Sequence, residues 1–389
     1  MIEQMKIAHV NMFFYPTIGG VEQVMLELAK RQVKAGHEVH VYCCDSDKHN
    51  RIELKEELVE GIHVHRLSYW CRLSLNTFVW PSLIWKLDKK FDIIHSHVSG
   101  HDYILFAGLL AKLKHAKHIH TTHCPWTDSS FRPWILRPFL FINDLFMNKL
   151  AFKFVDKIVA ITPWELETLN KHVKDEDKIT CIPNGADNIF FKKIEKSKNN
   201  FRKKYGIKEK YLVLFFGRLN PTKGPEMLAK AAVEISKERK DIAFVWAGPD
   251  EGKLKEVQEI IKGHKNMMWI GPVNDKKQIA EMYQAADIYV LPSYREGLPL
   301  TLFEAMASGL PIVASPVNGV PYALTEYENG LFADYGDIGR LKDCIGLLLN
   351  PILWNIISNN NIEKAKNYKW DSISKKYLEE YKIQMGYKV

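Results

Sequence analysis

The sequence of 389 residues lacks the features of several protein classes. Its six cysteines have no CxxC spacing and no pattern of a disulfide framework, so we expect buried thiols in a reducing compartment. No run reaches the ~18 apolar residues that a membrane-spanning helix needs. Residues 1–6 lack the basic and apolar regions of a signal peptide, and we therefore expect a cytoplasmic protein.

Several binding motifs are also absent or weak. Gly19 and Gly20 are not part of a GxGxxG fingerprint, which argues against a dinucleotide-dependent oxidoreductase. The histidines of the first half have no cysteine or carboxylate at the usual ligand spacing, so no metal site is expected. Asp45-Ser46-Asp47 is interpreted as a polar turn. No recognised nucleic-acid-binding module accompanies the basic residues, so nucleic acid is not an expected partner.

What the sequence does contain is a repeated alternation of apolar strands and amphipathic helices. This alternation predicts an α/β protein with mainly parallel sheets and helices on both faces. A lysine-rich passage, residues 192–204, interrupts the alternation and is predicted to be a linker. The predicted strands span residues 7–14, 39–43, 92–95, 118–121 and 157–161 before the linker, and 211–216, 243–246, 267–270, 288–291 and 311–314 after it.

Two doubly wound, Rossmann-like domains follow from this pattern. We predict the first over residues 1–188 and the second over residues 189–369. Residues 370–389 have helical periodicity and are expected to pack back on the first domain. Tandem domains of this kind place a ligand in the cleft between them, at the carboxyl ends of the strands.

Two cations follow a predicted strand in the second domain. Arg218 comes directly after Gly217 at the end of that strand, and Lys223 precedes Gly224 on the same loop. A loop at a strand end is where a diphosphate is expected to bind, and fixed cations there would neutralise charge on a leaving group. For either residue on its own, a solvated surface charge is the alternative.

Two glutamates, Glu296 and Glu304, enclose a Gly-Leu-Pro loop and the start of a predicted helix. A carboxylate such as Glu296 is costly to hold in a cleft without a partner, so a role in ligand binding is expected. Glu304 has a structural alternative, because Thr301-Leu302-Phe303-Glu304 matches a capping box. The amides of Leu300, Thr301 and Leu302 can receive phosphate oxygens at the helix N-terminus.

A basic and aromatic region, residues 67–155, distinguishes the first domain. It holds 11 Lys/Arg against 5 Asp/Glu, and five of the ten tryptophans. Interleaved Trp, Arg and aliphatic residues suit the headgroup layer of a membrane, so residues 80–90 and 131–154 are expected to bind there; core helices are the alternative. His123, just past a predicted strand end, is placed to contact a sugar or an acceptor, unless backbone groups satisfy its ring.

These motifs resemble those of the retaining glycosyltransferases of family 4, which have the GT-B fold of two facing Rossmann-like lobes. The resemblance spans nearly the whole chain, but residues 124–128 match no general feature of the family. It is carried by Pro16-x-x-Gly19-Gly20-x-Glu22, Ile182-Pro183-Asn184-Gly185-Ala186-Asp187, Phe216-Gly217-Arg218 with Lys223-Gly224, and the E-x7-E signature from Glu296 to Glu304.

The resemblance implies roles for the matching positions. Arg218 and Lys223 would hold the diphosphate of a nucleoside diphosphate sugar. Glu296 would hold hydroxyls of the donor sugar, and Glu304 the ribose. Arg218, Lys223, Glu296 and His123 would be catalytic. Further donor contacts would come from Gly19, Gly20, Gly217, Gly297 and the amides of Leu300, Thr301 and Leu302, with His123 and Asn184 on the acceptor side.

The activity implied is transfer of a sugar with retained anomeric configuration, by front-face attack of an acceptor hydroxyl. No metal or other cofactor would be needed, because protein cations and the helix dipole stabilise the leaving group. The donor would be UDP- or GDP-linked, and a lipid-linked or membrane-surface acceptor suits the basic aromatic region. Alternatives are a same-fold enzyme with a soluble acceptor, such as a sucrose- or glycogen-type synthase, a sugar-nucleotide epimerase, and a non-catalytic protein that binds sugar nucleotides.

Overall fold

The chain divides into two units in the computed structural model, which describes residues 4–17, 19–74, 77–87, 89–124, 134, 138, 148–195 and 197–387. One unit is formed by Met1–Pro183 with Trp370–Val389, and the other by Asn184–Lys369. Each has a largely parallel sheet with its own hydrophobic core, so the predicted class of two Rossmann-like α/β folds is confirmed.

The division between the units falls before Asn184, slightly earlier than the predicted domain end at residue 188. Asn184 Nδ2 donates to the carbonyl oxygen of Leu298 at 2.7 Å. The amide of Ala186 donates to the carbonyl oxygen of Tyr368 at 2.8 Å. Both bonds lie within the second unit, so the residues after Pro183 belong to it by their contacts.

The first unit is built on eight strands, β1 (Lys6–Val10), β2 (Glu38–Cys44), β3 (Glu56–Val59), β4 (Ile62–Leu67), β7 (Ile93–His97), β8 (Lys117–Thr121), β9 (Lys157–Ala160) and β10 (Ile179–Cys181). Their order is β10-β9-β8-β7-β1-β2-β4-β3, and only the β3–β4 pair at one edge is antiparallel. A separate hairpin consists of β5 (Cys71–Ser74) and β6 (Thr77–Val79). The central strands are buried on both faces, as in other covered parallel sheets, but they carry histidines among their apolar residues.

Helices flank the sheet of the first unit. α1 (Gly20–Lys34) has the predicted apolar spacing and ends just before Gly36, which has a φ of +92°. In the part of the chain that the structure describes, none of the helices is long and apolar enough to span a membrane. The other helices of this unit are α2 (Leu83–Lys86), α3 (Tyr103–Leu113), α4 (Lys149–Ala151), α5 (Leu166–Leu169) and α14 (Trp370–Gln384).

The C-terminal helix α14 contributes side chains to the interior of the first unit. Tyr377 and Tyr381 are buried, and the hydroxyl of Tyr381 lies 2.5 Å from Nδ1 of His95. Near the start of the helix, Arg31 Nε donates to Asp371 Oδ1 at 2.7 Å. These contacts explain why α14 belongs to the first unit, although the whole second unit lies between them in the sequence.

The second unit is built on a parallel sheet of β11 (Tyr211–Phe216), β12 (Ile242–Ala247), β13 (Met267–Trp269), β14 (Ile288–Leu291), β15 (Ile312–Ala314) and β16 (Leu331–Phe332). Their order is β13-β12-β11-β14-β15-β16. Its helices are α6 (Ser197–Tyr205), α7 (Pro225–Glu238), α8 (Leu254–Ile260), α9 (Lys276–Ala285), α10 (Leu300–Ala307), α11 (Val320–Ala323), α12 (Ile338–Leu348) and α13 (Pro351–Ala365).

The predicted linker over residues 192–204 is wrong in its second half, because α6 begins at Ser197. Phe201 is buried on this helix, and Arg202 Nη2 donates to Asp287 Oδ2 at 2.9 Å. The buried ring of Phe201 and the partly buried Arg202–Asp287 ion pair therefore hold α6 in place, although the rest of its composition is that of a solvated segment.

The sequence prediction also misses β4, the hairpin of β5 and β6, and three short edge strands. β3, β10 and β16 are two to four residues long and lie at sheet edges. Such short strands carry no readable apolar run, and their hydrogen-bonding partners make them strands. β1, in contrast, ends at Val10 although the prediction extended it to residue 14.

The six cysteines lie in the described part of the chain and are free thiols. Four are buried, as expected. Cys71 and Cys181 are exposed, contrary to that expectation, because they lie on the short strands β5 and β10.

The central strands of the first unit carry five fully buried histidines, His9 on β1, His95 and His97 on β7, and His118 and His120 on β8. Burial lowers the pKa of His9 and His118 to about 4, and that of the other three well below the ordinary value. All five rings are therefore neutral at pH 7, and they act as hydrogen-bonding groups of the core rather than as charges.

We expect the first unit to lose stability as the pH falls below about 6.5. His9 and His118 have an ordinary pKa of 6.5 in the unfolded chain but one of about 4 in the folded unit. The unfolded state therefore binds more protons between these values, so the stabilisation is fully present above pH 6.5 and is lost toward pH 4. Each of these two histidines should lower the free energy of unfolding by roughly 2 kcal/mol at pH 5 relative to pH 7.

Hydrogen exchange followed by mass spectrometry at pH 7 and pH 5, corrected for the intrinsic exchange rate, measures this effect. The second unit is an internal control, because His264 is its only histidine. Equal loss of protection in peptides from both units would contradict the expectation.

Candidate active site

The loop that follows β11 begins with a close backbone contact at the carboxyl end of the sheet. The amide of Gly217 donates to the carbonyl oxygen of Ala247 at 3.0 Å, which extends the pairing of β11 with β12. A Cβ at Gly248, which has a φ of +133°, would lie 1.9 Å from the carbonyl oxygen of Gly217. Gly248 is therefore required for this contact, and sequence reasoning did not single it out.

Arg218 is held at this strand end by a carboxylate from the loop after β12. Its Nη1 lies 3.1 Å from Glu251 Oε2, and Asn220 Nδ2 donates to the same oxygen at 2.9 Å. The Arg218 side chain is half exposed, so its remaining donors can bind an anion. No sequence motif indicated Glu251, which reaches Arg218 only because β11 and β12 are neighbours.

Lys223 and Glu296, predicted separately, form an ion pair. Nζ of Lys223 lies 2.7 Å from each carboxylate oxygen of Glu296, and Ser293 Oγ donates to Glu296 Oε1 at 2.6 Å. The side chain of Glu296 is 5% exposed and that of Lys223 is 18% exposed. The expected cost of an unpartnered carboxylate is thus avoided, because a lysine and a serine satisfy it.

The two loops that carry this pair are fixed against each other by their backbones. The carbonyl oxygen of Thr222 accepts from the amide of Tyr294 at 2.9 Å. Gly224 has a φ of +60°, and a Cβ there would lie 2.2 Å from the carbonyl oxygen of Pro292. A side chain at Gly224 would therefore separate the loops that join Lys223 to Glu296.

The capping-box explanation for Glu304 is wrong. α10 begins at Leu300, its N-cap is Pro299, and Glu304 lies beyond the first turn. The hydroxyl of Tyr283 lies 3.1 Å from Glu304 Oε2 and also 3.3 Å from the carbonyl oxygen of Thr301. Pro299 has no amide hydrogen to donate, and a carboxylate in the second turn is too far along the helix to cap it, so Glu304 is held by a buried tyrosine instead.

The N-terminus of α10 has no side-chain cap among the described residues. Proline at the N-cap offers no hydroxyl or carboxylate, so the first amides, those of Leu300 and Thr301, depend on another acceptor. An anionic oxygen is well suited to this position because of the helix dipole. Leu302, the third predicted amide, already donates to the carbonyl oxygen of Pro299 at 3.2 Å.

Asn184, expected on the acceptor side, lies in the second unit. Its amide holds the carbonyl oxygen of Leu298, in the loop between Glu296 and α10. Gly297 lies in the same loop and is partly exposed. In this structure Asn184 thus fixes the loop of the predicted donor residues.

The remaining predicted residues lie in the first unit. Gly19 is the N-cap of α1, and a Cβ there would lie 2.1 Å from Glu22 Oε2. At Gly20 a Cβ would meet no neighbour within 4 Å among the residues that the structure describes, so packing against these residues does not require glycine there. His123 follows β8 in the left-handed region, with a φ of +57°, and its Nε2 lies 3.0 Å from Nδ1 of His97. Within the described part of the chain, Nε2 of His123 therefore has a side-chain partner and not a backbone one.

The polar turn at Asp45-Ser46-Asp47 is confirmed. Asp45 is buried and pairs with Arg51 and Lys55, while Asp47 Oδ1 accepts from the amides of His49 and Asn50. Most of the predicted membrane segment 131–154, and residues 125–128 of the 124–128 stretch, lie outside the described residues.

We expect a measurable coupling between Lys223 and Glu296. Removing one partner leaves the other charge partly buried and unpaired. A double-mutant cycle with Lys223→Met and Glu296→Gln, measured by urea unfolding of the second unit, should therefore give a coupling free energy of about 1–3 kcal/mol. The matched control is the exposed pair Arg239–Asp241, at 2.7 Å, for which less than about 0.5 kcal/mol is expected. Equal coupling in both pairs would show that the Lys223–Glu296 pair is no more than a surface contact.

Two protein-family models match this chain. The model described as Glycosyltransferase Family 4 matches residues 18–188, and the model described as Glycosyl transferases group 1 matches residues 197–366. Together they extend over most of both units and include the predicted residues of each.

Curated relatives match over nearly the full chain at low identity. The Phosphatidylinositol N-acetylglucosaminyltransferase GPI3 subunit of Saccharomyces cerevisiae is 25% identical over 97% of this chain and 82% of its own. The D-inositol 3-phosphate glycosyltransferase of Corynebacterium glutamicum is 26% identical over 94% of each chain. The UDP-Gal:alpha-D-GlcNAc-diphosphoundecaprenol alpha-1,3-galactosyltransferase of Escherichia coli is 27% identical over 94% of this chain and 93% of its own.

Solved structures share the fold. A glycosyltransferase of Rickettsia africae superimposes with a TM-score of 0.77 at 20% identity, over 99% of this chain and 100% of that one. The sucrose-phosphate synthase of Thermosynechococcus elongatus gives a TM-score of 0.78 at 20% identity, over 98% and 100%. The two family models and this shared architecture lead to one conclusion: the chain belongs to the glycosyl transferases group 1, glycosyltransferase family 4, and has the GT-B fold of a glycosyltransferase that uses a nucleotide sugar.

Proposed function

We propose that this enzyme transfers a sugar, with retention of configuration, from a UDP- or GDP-linked donor to a hydroxyl of a lipid-linked or membrane-surface acceptor. The observation that carries the donor half is the cluster at the carboxyl end of the second sheet. There, Arg218 and Lys223 lie on one loop, and Lys223 contacts Glu296 from the loop before α10. Two cations, an uncapped helix N-terminus and two carboxylates suit a diphosphate, a sugar and a ribose.

Each of these groups has a proposed role toward the donor. Arg218 and Lys223 bind the diphosphate oxygens, while Glu296 accepts hydrogen bonds from sugar hydroxyls and Glu304 from the ribose. The amides at the start of α10 bind a phosphate oxygen. Lys223 contacts both oxygens of Glu296 with two of its three N–H donors, so the third is left to bind phosphate.

The proposed reaction is a single exchange at the anomeric carbon. The acceptor oxygen forms its bond on the face from which the nucleoside diphosphate departs, and the carbon–oxygen bond to phosphate breaks with its electron pair going to the phosphate oxygen. The hydroxyl proton passes to that same oxygen. Positive groups fixed beside the diphosphate stabilise the charge that develops there, which is the largest contribution expected of the protein.

The acceptor half of the proposal is supported by the surface of three neighbouring helices in the first unit. α2 and α4 both contact α3. Large apolar side chains are exposed on all three helices, most of all Leu113 at 76% and Trp85 at 56%. Lysines lie among them. This mixture is suited to the headgroup layer of an anionic membrane. The exposed residues are Ile84, Trp85, Leu109, Leu113 and Leu150, with Lys86, Lys112 and Lys149.

The names of the relatives support either a lipid-linked or a soluble acceptor. Two of them carry phosphatidylinositol and diphosphoundecaprenol in their names, which are lipids, and a third carries D-inositol 3-phosphate. A soluble acceptor is therefore the second candidate. We favour a lipid-linked acceptor, because the exposed apolar and basic side chains of α2, α3 and α4 would have no role with a soluble acceptor. An epimerase and a non-catalytic sugar-nucleotide-binding protein are weaker alternatives.

The donor class can be identified by thermal shift with UDP, GDP, ADP and their common sugars. One nucleotide at a hundredfold its dissociation constant should stabilise the protein by about 2.7 kcal/mol. Lys223→Ala should then lower the turnover number by the equivalent of about 2–4 kcal/mol, because one preorganised donor is lost. Lys237→Ala, which removes an exposed lysine of α7, is the matched control. EDTA should have no effect.

Binding of none of the nucleotides, or an unchanged turnover number for Lys223→Ala, would contradict the donor site. Inhibition by EDTA that Mn²⁺ reverses would contradict the metal-independent reaction.

Membrane binding should depend on the exposed helices of the first unit. The double variant Trp85→Asp/Leu113→Asp should bind vesicles of phosphatidylcholine and phosphatidylglycerol at least about tenfold more weakly, because it removes two apolar anchors and adds negative charge. The control is Ile352→Asp, since Ile352 is 73% exposed on α13 of the second unit. Co-sedimentation measures the effect. Absence of vesicle binding by the unsubstituted protein, or an equal loss in the control, would favour a soluble acceptor.

A further inference from the structure

A chain of buried hydrogen bonds links His123 to helix α1 through the interior of the first unit. Nε2 of His123 lies 3.0 Å from Nδ1 of His97. Nε2 of His97 lies 2.9 Å from Nδ1 of His9, and Nε2 of His9 lies 2.7 Å from Oε1 of Gln32. His9, His97 and Gln32 are fully buried, so water does not compete for these bonds.

The neutral state of the three rings gives this chain a direction. Burial lowers the pKa of His9 to about 4, that of His123 to about 3 and that of His97 well below its ordinary value. A neutral imidazole has one N–H donor and one acceptor nitrogen. Each bond therefore fixes the tautomer of the next ring, and the orientation at one end is transmitted to the other.

The amide of Gln32 decides that direction. Its oxygen can only accept, so Nε2 of His9 carries the hydrogen and Nδ1 of His9 accepts from Nε2 of His97. Nδ1 of His97 then accepts from Nε2 of His123. The ring of His123 is left with its lone pair at Nδ1. If the amide nitrogen of Gln32 faced His9 in place of the oxygen, every donor nitrogen in this chain of hydrogen bonds would be an acceptor.

The amide of Gln32 also contacts α14. Nε2 of Gln32 donates to the hydroxyl oxygen of Tyr381 at 3.3 Å, and that hydroxyl lies 2.5 Å from Nδ1 of His95. Nε2 of His95 lies 2.8 Å from Oγ1 of Thr121. With Gln32 in this orientation, the Tyr381 hydroxyl can donate to His95 and His95 to Thr121, so the branch accommodates the direction of the histidine chain.

We propose that Gln32, His9 and His97 are positioning residues that fix the tautomer of His123, so that Nδ1 of His123 presents a lone pair to a substrate hydroxyl. None of the three touches substrate. The functional part of this inference rests on the proposed glycosyl transfer, in which the donor sugar and the acceptor are rich in hydroxyl groups. His123 is suited to this role because it follows the end of β8 in a left-handed conformation that costs energy for a non-glycine residue.

The same histidines do not form a free set of metal ligands. His9, His95 and His97 could each offer one nitrogen to an ion. Both ring nitrogens of each, however, already hydrogen-bond another side chain. A metal would have to break the bond between His9 and His97 and disconnect His123 from Gln32.

The tautomers can be observed directly by NMR of the whole protein labelled with ¹⁵N and ¹³C in histidine, without substrate. Nitrogens with a hydrogen and nitrogens with a lone pair have well-separated ¹⁵N chemical shifts. We expect a hydrogen on Nε2 of His9, His97 and His123 and a lone pair on Nδ1 of each. The opposite assignment, or shifts that change on addition of Zn²⁺ at neutral pH, would overturn the proposal.

The control of His123 by Gln32 is tested with Gln32→Met, which keeps the side-chain length and removes both polar groups. His9 then has no acceptor at Nε2, so the chain should reverse and His123 should carry its hydrogen on Nδ1. The turnover number should fall about tenfold, the effect of one lost hydrogen bond, with donor affinity unchanged. Thr162→Val is the matched control, because it removes a buried hydroxyl of the first unit that contacts neither the histidine chain nor its branch to α14.

The histidine tautomers test the inference, and sugar transfer tests the proposed function, so the two can fail independently. If the tautomers reverse in Gln32→Met but the unsubstituted protein transfers no sugar, the chain of hydrogen bonds is supported and the proposed function is contradicted. An unchanged His123 tautomer in Gln32→Met, or the same reversal in Thr162→Val, would contradict the chain of hydrogen bonds. If Gln32→Met does not fold, the tautomers of the unsubstituted protein decide.

Discussion

Parallel pairing of β11 with β12 on one side and β14 on the other directs the carboxyl ends of all three strands to one edge of the second sheet. Arg218 follows β11, Glu251 follows β12 and Glu296 follows β14. These residues are far apart in the chain, and their contacts exist only because the three strands end together. The backbone approach of Gly217 and Gly248 shows how closely the strand ends are joined.

Charge balance is the second constraint on this edge. Each charged side chain of the predicted donor site already has a polar partner, Glu251 for Arg218, Lys223 for Glu296 and Tyr283 for Glu304. Such pairing keeps partly buried charges stable before a ligand binds. It also means that a dianionic ligand shares Arg218 and Lys223 with carboxylates that are already bound, and its binding free energy includes the change in their charge-assisted hydrogen bonds.

The interior of the first unit is polar in a different way. It replaces part of an aliphatic core by neutral histidines whose ring nitrogens bond one another, Gln32, Thr121 and Tyr381 of α14. A buried network of this kind is favourable only when every member is satisfied, and it specifies one arrangement of side chains more strictly than apolar contacts do. The C-terminal helix α14 completes it, since Tyr381 provides the hydroxyl between Gln32 and His95.

Much of this protein was determined by local sequence. The strand-helix alternation predicted the two Rossmann-like folds that the structure confirms, because strand ends and helix starts are local signals. The motifs around Arg218, Lys223 and Glu296 predicted groups that the structure brings to one sheet edge, and binding of a diphosphate sugar there stays a prediction. The tertiary structure alone decided the partners, such as Glu251 for Arg218 and Tyr283 for Glu304, and it corrected the capping box and the linker. Hydrogen bonds between distant segments leave no periodic trace in a sequence. The histidines of the first half were visible as residues, but only strand order brought His9, His97 and His123 into one chain of hydrogen bonds.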